Sequence, residues 1–262
     1  MSASRTTIAV IGGSGITGIF EGGTTSHKVA TPWGAPSGPV EEGRVGGVRT
    51  LFLARHGPGH TIPPHRVNYR ANVDALRSLG ADAILTVSSV GSLREELAPG
   101  TFVLPNQFVD FTKQRPTTFY DGGKVYHVSL ADPFCPDLTT TAAATGRELG
   151  IPFAEGKTYV CVEGPRFSTR AESKFFRSFA DIIGMTLVPE VTLARERALC
   201  YACLAMVTDY DVWAERPVEA KEIVETMRRN ADRMHRLLAA LLPRLATPPT
   251  CRCASALNDA GV

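Results

Sequence analysis

The sequence predicts a single α/β domain with a central, mixed and mostly parallel β-sheet flanked by helices on both faces. Short runs of β-branched and apolar residues recur along the chain, and most are followed by a loop and then a helix-like segment. This repeated order of strand, loop and helix is typical of parallel sheets covered by helices. The length of 262 residues, 44% of them hydrophobic, suits one large domain. We place this domain at residues 1–246 and a polar tail at residues 247–262.

The predicted strands are short, and several end in glycine or a hydroxyl residue. They cover residues 7–11, 48–54, 83–90, 157–162 and 182–186, an apolar run from 202 to the acid at 209, and short extended pieces at 102–104 and 107–111. Predicted helices cover residues 69–79, 138–149 and 189–198, and another follows the capping hydroxyls at 168 and 169. A last helix, after Pro217, repeats apolar residues at helical spacing up to Leu242.

Charge and hydropathy exclude two classes of function. The formal net charge is +2, which argues against electrostatic binding of nucleic acid. No window reaches the apolar length of a membrane span, and the N-terminus lacks the pattern of a secretion signal. We therefore expect a cytoplasmic protein with no nucleic-acid or membrane partner.

The six cysteines fall into two groups. Four of them lie in apolar or mixed surroundings and are predicted to be small buried residues: Cys135, Cys161, Cys200 and Cys203. Cys251 and Cys253 form a Cys-x-Cys pair in the polar tail. Further metal ligands are not visible near this pair in the sequence, so we predict no metal site. A strained local disulfide and free thiols both remain open.

Two acids, Asp209 and Asp211, follow the apolar run that predicts a strand buried on both faces. If the chain is still extended there, residues two apart point the same way, about 7 Å apart. Ligands of open α/β sheets collect beyond the carboxyl ends of strands, so the two acids could meet one edge of a flat ligand. Equally well supported is the alternative that Asp209 caps the next helix and Asp211 is solvated.

A glycine-rich loop at residues 12–18 follows the first predicted strand. Its glycines match the dinucleotide pattern G-x-G-x-x-G, but the residues that follow are poor helix formers, so we reject that interpretation. A serine nucleophile elbow also fails, because it would need glycine where Ile16 stands. What remains is a loop whose backbone N–H groups and Ser14 hydroxyl bind an anion, or a plain tight turn.

Other strand ends support the anion interpretation. Arg55, a bidentate donor suited to phosphate, and His56 end the second predicted strand. The small hydroxyl residues Ser88, Ser89 and Thr186 end two more strands. A surface ion pair is the alternative for Arg55.

Two features of the loops have weaker support. Three histidines lie between residues 56 and 65, but the loop offers no carboxylate beside them, so we predict no metal there. Phe167 could stack on a planar ligand or pack in the core.

Several blocks of sequence together resemble the trimeric purine nucleoside phosphorylase family, and within it the branch that acts on 5′-methylthioadenosine. The blocks extend from about residue 7 to the long C-terminal helix. They include Ile-Gly-Gly-Ser-Gly, Leu-Ala-Arg-His-Gly, Val-Asn-Tyr-Arg-Ala-Asn, Glu-Gly-Pro-Arg-Phe-Ser-Thr-Arg-Ala-Glu, Met-Thr-Leu-Val-Pro-Glu and Thr-Asp-Tyr-Asp-Val-Trp.

The resemblance implies the nucleoside phosphorylase fold and an enzyme. The expected reaction is phosphorolysis of 5′-methylthioadenosine to adenine and 5-methylthioribose 1-phosphate, with inorganic phosphate as co-substrate and no metal or organic cofactor. It also implies a homo-oligomer, either a trimer or a dimer of trimers. The alternatives are a phosphorylase acting on adenosine, inosine or methylthioinosine, and a nucleotide-binding module without activity.

The resemblance also assigns roles to single residues. The phosphate-binding set would be Ser14, Arg55, His56, Ser88, Ser89 and Thr186. Phe167 would stack on the base, Met185 would pack under the ribose, and Asp209 and Asp211 would be the catalytic acids, facing N7 and the amine of adenine. The remaining substrate contacts would be His127, donated to a neighbouring subunit, and Val218 and Ile223 around the methylthio group.

One departure from the family pattern and one further resemblance stand out. Gly184 precedes Met185 at a position where asparagine is common, which puts the sugar contacts in doubt. The Cys-x-Cys tail is similar to tails of thermophilic members, which suggests a stabilising disulfide.

Overall fold

The computed structural model describes residues 6–13, 18–214, 220–247, 250–258 and 260–261; of residues 220–223 it describes the backbone alone. The strands are β1 (Ile8–Gly12), β2 (Thr25–His27), β3 (Val40–Val45), β4 (Val48–Ala54), β5 (Ala83–Ser92), β6 (Phe102–Phe111), β7 (Phe153–Val162), β8 (Ile182–Gly184) and β9 (Cys200–Asp209). The α-helices are α1 (Tyr69–Ser78), α2 (Pro136–Glu148), α3 (Arg170–Phe176), α4 (Glu190–Glu196) and α5 (Ala220–Arg244).

All nine strands belong to one mixed sheet, in the order β2-β3-β4-β1-β5-β8-β7-β6-β9. Neighbours are parallel in the pairs β4–β1, β1–β5, β5–β9, β7–β8 and β6–β7, and antiparallel in β2–β3, β3–β4, β5–β8 and β6–β9. Because β9 pairs with both β5 and β6, the second half of the sheet closes on itself. The predicted α/β class is confirmed.

Helices cover both faces of the sheet, as the alternation along β1 shows. Ala9 and Ile11 belong to one core cluster, together with Val73 of α1 and Val191 of α4. The intervening side chains of β1, at positions 8 and 10, belong to a second cluster formed with α2 and α5. A strand buried on both faces needs apolar residues at every position, and β1 has them.

Two parts of the sheet differ from the sequence prediction. β6 is one strand and not two short pieces, because the register shifts on both sides of Pro105 and so accommodates a residue that cannot donate to the ladder. β2 and β3 were missed. They lie at one edge of the sheet and carry mostly polar, partly exposed residues, which give no strong apolar signal.

The C-terminal residues return to the domain after α5. Asp137, at the start of α2, accepts hydrogen bonds from the backbone N–H groups of Thr250 and Cys251 at 2.6 and 3.0 Å. Further on, the N–H of His127 donates to the carbonyl of Ala260 at 2.7 Å. The boundary at residue 246 remains a prediction. Among the helices that the structure describes, none has the length and apolarity of a membrane span.

Candidate active site

A cavity of about 860 Å³ opens where the ends of β1, β4, β5 and β9 meet. These four strands are adjacent and parallel, so their carboxyl ends lie at the same edge of the sheet. One side of α5 closes the cavity. Of the residues predicted to act on phosphate or substrate, the lining contains Arg55, His56, Ser88, Ser89, Phe167, Met185, Thr186, Asp209 and Asp211.

Four other predicted positions are not placed in this cavity. Ser14 and Val218 lie outside the described residues, as does the side chain of Ile223. Their neighbours Gly13 and Val224 do line the cavity. His127 is exposed, outside the cavity of its own chain. The roles given to these residues stay predictions.

Arg55 is held in a buried ion pair, which differs from the surface pair considered above. Its Nε and Nη2 donate to the two carboxylate oxygens of Glu190 at 2.9 and 3.1 Å, and both side chains are almost fully buried. Nη2 also contacts the hydroxyl of Thr86, and Nη1 donates to the carbonyl of Val87 at 3.2 Å. Burial disfavours the charged guanidinium, but the Glu190 carboxylate outweighs it and raises the pKa of Arg55 above its ordinary value.

This arrangement fixes Arg55 but also neutralises much of its charge. A guanidinium has five N–H donors, and the contacts above leave one N–H of Nη1 for a ligand in the cavity. Hydroxyl groups provide the rest of a polar surface: Ser88 and Thr186 are buried with their hydroxyl oxygens 3.4 Å apart, and Ser89 lines the same wall. An oxyanion bound here would be held mainly by fixed dipoles.

His56 is a neutral side chain in this structure. Its Nδ1 lies 2.8 Å from the carbonyl of Ile62, which can only accept, so Nδ1 carries the proton. Burial and the charge of Arg55 lower the pKa of His56 to about 4. At neutral pH its Nε2 is therefore an acceptor, suited to a P–OH group and not to a bare phosphate oxygen.

Asp209 ends β9, and both of its carboxylate oxygens accept hydrogen bonds. Oδ1 accepts from the N–H of Asp211 at 2.8 Å, and Oδ2 accepts from the hydroxyl of Thr208 at 2.8 Å. The same hydroxyl lies 3.2 Å from the carbonyl of Val90. It can therefore donate to Val90 and accept a hydrogen bond from protonated Asp209, so the contact tolerates either protonation state of the acid.

The strand does not continue to Asp211. The prediction that Asp209 and Asp211 lie two apart on one extended strand was therefore wrong. The chain turns after Asp209, and Asp211 begins a short 3₁₀ helix with φ of 51°. Its side chain still lines the cavity, is only 4% exposed, and leaves Oδ2 without a hydrogen-bond partner among the described residues. Burial, helped by the Glu172 carboxylate, raises the pKa of Asp211.

The raised pKa predicts how stability depends on pH. Ionised Asp211 costs stability in the folded state. This cost is absent below the unfolded pKa of about 3.9, grows as the pH rises from there to the folded pKa, and is constant above the folded pKa. We expect Asp211→Asn to raise the unfolding temperature at pH 7 by about 2–4 °C, a gain of about 1 kcal/mol, and the gain to vanish near pH 4.

Thermal unfolding followed across this pH range checks the expectation, and Asp181→Asn is the matched control. Asp181 accepts hydrogen bonds from Arg94 and from the N–H of Thr158, both at 2.8 Å, so its replacement should destabilise the protein. A gain at Asp211 that does not change with pH would contradict the assignment of its cause.

Phe167 and Met185 form part of the opposite wall. Phe167 is 39% exposed, so the structure contradicts the core-packing alternative. A Cβ at Gly164 would lie 2.6 Å from the sulfur of Met185. A larger residue at position 164 would therefore displace the Met185 side chain. At Gly184 a Cβ would overlap the hydroxyl of Tyr159, so any side chain at this position would require Tyr159 to move.

Comparison with known proteins agrees with this geometry. A sequence profile of the phosphorylase superfamily matches residues 7–243. The chain belongs to the phosphorylase superfamily. It is 53% identical over 251 residues to the S-methyl-5′-thioadenosine phosphorylase of Pyrococcus furiosus, which covers 96% of this chain and 97% of that protein.

Solved structures of this superfamily share the whole fold. A methylthioadenosine phosphorylase from an antarctic soil metagenomic library superposes with a TM-score of 0.93 at 42% identity, covering 99% of this chain and 93% of the other. The methylthioadenosine phosphorylase of Schistosoma mansoni in complex with adenine gives a TM-score of 0.91 at 37% identity. This match covers 97% of this chain and 96% of the other.

The sequence analysis missed several residues of this phosphorylase site. Glu190 fixes Arg55 from 135 positions away, and no local pattern marks such a pair. His60 lines the cavity and packs against His56 with ring centroids 4.3 Å apart and ring planes tilted by 32°, although the sequence analysis considered it only as a metal ligand. Met227 and Asn230 of α5 also line the cavity, and the sequence analysis assigned neither of them to the site.

Proposed function

We propose that the protein cleaves 5′-methylthioadenosine with inorganic phosphate. A phosphate oxygen forms the new bond to C1′ of the sugar, and the bond from C1′ to N9 of adenine breaks. Asp209 delivers a proton to N7, so the base leaves as neutral adenine, and the sugar leaves as 5-methylthioribose 1-phosphate. Phosphate is the only co-substrate, and the proposal includes no metal or organic cofactor in the reaction.

The observation that carries this proposal is that one cavity contains both the predicted phosphate-binding residues and the predicted catalytic acids. Arg55 and the hydroxyls of Ser88 and Thr186 line it, and so do Asp209 and Asp211. Phosphorolysis needs an anion site beneath the sugar and an acid beside the base, held together so that the two reactants meet in one geometry. Preoriented donors that need no reorganisation stabilise the charge of the transition state.

Asp211 supports a 6-aminopurine over a 6-oxopurine. Its carboxylate is an acceptor that lines the cavity, and its backbone N–H is already used by Asp209. An exocyclic amine would donate to the Asp211 carboxylate, which lines the cavity, whereas a 6-oxo group would place a second acceptor against it. A buried polar atom left unpaired costs about 1–3 kcal/mol, enough to separate the two classes of base.

The apolar part of the cavity suits a methylthio group. Val224 and Met227 of α5 and Met185 of the opposite wall line the cavity. Burying a methyl and a sulfur among such groups is favourable, whereas a 5′-hydroxyl would lose its water. The name of the Pyrococcus furiosus relative, at 53% identity, points to the same substrate.

The substrate assignment is tested by an assay of phosphate-dependent base release with 5′-methylthioadenosine, adenosine and inosine in parallel. We expect kcat/KM to follow that order, with inosine lower than methylthioadenosine by about tenfold or more. Release without phosphate would exclude phosphorolysis. A preference for inosine would instead favour the 6-oxopurine alternative, and binding without turnover would favour a nucleotide-binding module.

The active form is proposed to be a homo-oligomer, either a trimer or a dimer of trimers. His127 is exposed and does not line the cavity of its own chain, which leaves it available to a neighbouring subunit, and Phe111 and Phe175 expose 37% and 57% of their area. Light scattering measures the mass in solution, and His127→Ala should raise KM for the nucleoside about tenfold while the mass is kept. A fully active monomer would contradict this proposal. The cytoplasmic location also stays a prediction.

A further inference from the structure

Four cysteine side chains from three separate parts of the chain meet beside the C-terminal tail. Cys135 directly precedes α2, Cys200 is the first residue of β9, and Cys251 and Cys253 form the Cys-x-Cys pair. Their four sulfur atoms all lie within 4.8 Å of one another. The expectation that the pair lacks partners was wrong, because the fold supplies two ligands that are distant in sequence.

The spacing of the sulfur atoms fits four ligands around one centre. The sulfur of Cys251 lies 3.5 Å from that of Cys135 and 3.4 Å from that of Cys200. Zinc bound tetrahedrally by thiolates, with Zn–S bonds of about 2.3 Å, separates its sulfur atoms by about 3.8 Å. A disulfide would instead bring two of the sulfur atoms to about 2 Å, whereas all four cysteines are free in this structure.

Hydrogen bonds to the domain hold the backbone at three of the four ligands. The N–H of Cys135 donates to the carbonyl of Tyr201 at 2.8 Å, and the N–H of Cys200 donates to the carbonyl of Asp82 at 3.2 Å. The hydrogen bonds of Asp137 hold the tail at Thr250 and Cys251. Cys135, Cys200 and Cys253 are at most 3% exposed, so water has little access to the cluster.

We propose that these four cysteines bind one zinc ion per chain, as a structural site that fastens the tail to the domain. Binding converts four thiols into thiolates, and their protons pass to solvent. No residue is oxidised or reduced, and the completed site carries a net charge of −2. Four protein ligands leave no open position for a substrate, and none of the four cysteines lines the active-site cavity. The site therefore serves stability and not the reaction.

The tail connects this zinc site to a second region of the surface. Seven residues after Cys253, the carbonyl of Ala260 accepts a hydrogen bond from the N–H of His127 at 2.7 Å. Gly261 forms an isolated bridge with Tyr126. Release of the tail would break both contacts, so zinc is expected to protect the His127 amide from hydrogen exchange.

The test begins with metal content. Protein purified under reducing conditions, without a metal-affinity step, should contain about one zinc per chain by mass spectrometry of the elements. After the zinc is removed by a chelator, anaerobic addition of Co²⁺ should produce the visible bands of a tetrahedral tetrathiolate complex. Zinc removal should lower the unfolding temperature by roughly 5 °C or more and speed exchange of the His127 amide.

Single variants separate this site from the other cysteines. Cys251→Ser and Cys253→Ser should each weaken zinc binding at least tenfold and change the Co²⁺ spectrum. Cys203→Ala is the matched control: Cys203 is buried in β9 outside the cluster, so the variant should keep one zinc per chain and the unchanged spectrum.

Two results would overturn the proposal. Protein that lacks zinc and shows the four cluster thiols blocked to alkylation, after denaturation without reductant, would contain two disulfides. Protein with all its thiols free and no uptake of zinc or Co²⁺ would contain only a packed thiol cluster. Because neither measurement depends on turnover, a failure of this proposal is distinct from a failure of the proposed reaction.

Discussion

Asp209→Asn is expected to lower kcat for 5′-methylthioadenosine by about 10²–10⁴-fold, with little change in KM for phosphate. The amide keeps the shape of the carboxyl group, but it has no acidic proton to give to N7. The remaining amide oxygen can accept from the N–H of Asp211, and the amide NH2 can donate to the hydroxyl of Thr208, which then donates to the carbonyl of Val90, so the fold at the end of β9 should be preserved. Steady-state kinetics with both substrates varied measures the two constants separately.

The control for this prediction is a riboside that needs no acid. A 4-nitrophenyl riboside releases a stable anion, so general acid catalysis contributes little to its cleavage. Asp209→Asn should therefore cleave this substrate at close to the rate of the unaltered enzyme. An equal loss on both substrates would show that the variant disturbs positioning, and normal turnover of the nucleoside would remove Asp209 from the acid role.

Much of the fold was predictable because its signals are local. β4 was predicted to the residue, and β1, α1 and α4 within one or two positions, since buried strands and amphipathic helices leave continuous patterns. The edge strands β2 and β3 were missed because half-exposed polar residues carry no such pattern. The path of β6 through Pro105 depends on its pairing with β7, which the sequence of β6 alone does not contain.

Residues of the candidate site were predictable where they end strands. Arg55, Ser88 and Asp209 follow apolar runs, and parallel strands bring such positions to one edge. Pairings over long sequence distance were not predictable. Glu190 meets Arg55, Tyr159 fills the space beside Gly184, and Cys135 and Cys200 meet the tail only because the folded backbone brings them together.

The buried pair changes what replacement of Arg55 should do. The sequence alone predicts a loss of phosphate binding, whereas the structure adds a large loss of stability. Arg55→Met leaves the carboxylate of Glu190, which is fully buried, without its partner. Removing one member of a buried ion pair costs about 3–5 kcal/mol, so we expect the unfolding temperature to fall by about 6–20 °C. Thermal or urea unfolding measures this loss directly.

A double variant separates the structural role of Arg55 from its role toward phosphate. In Arg55→Met with Glu190→Gln no buried charge is left, and the glutamine oxygen can still accept from the hydroxyl of Tyr201, now 2.9 Å from Glu190. Most of the lost stability should return, because both members of the pair are removed together. KM for phosphate should stay raised by about tenfold or more, because the donor of Arg55 is still missing. If phosphate affinity returned together with stability, Arg55 would be a structural residue, and phosphate would depend on the hydroxyls and the glycine-rich loop alone.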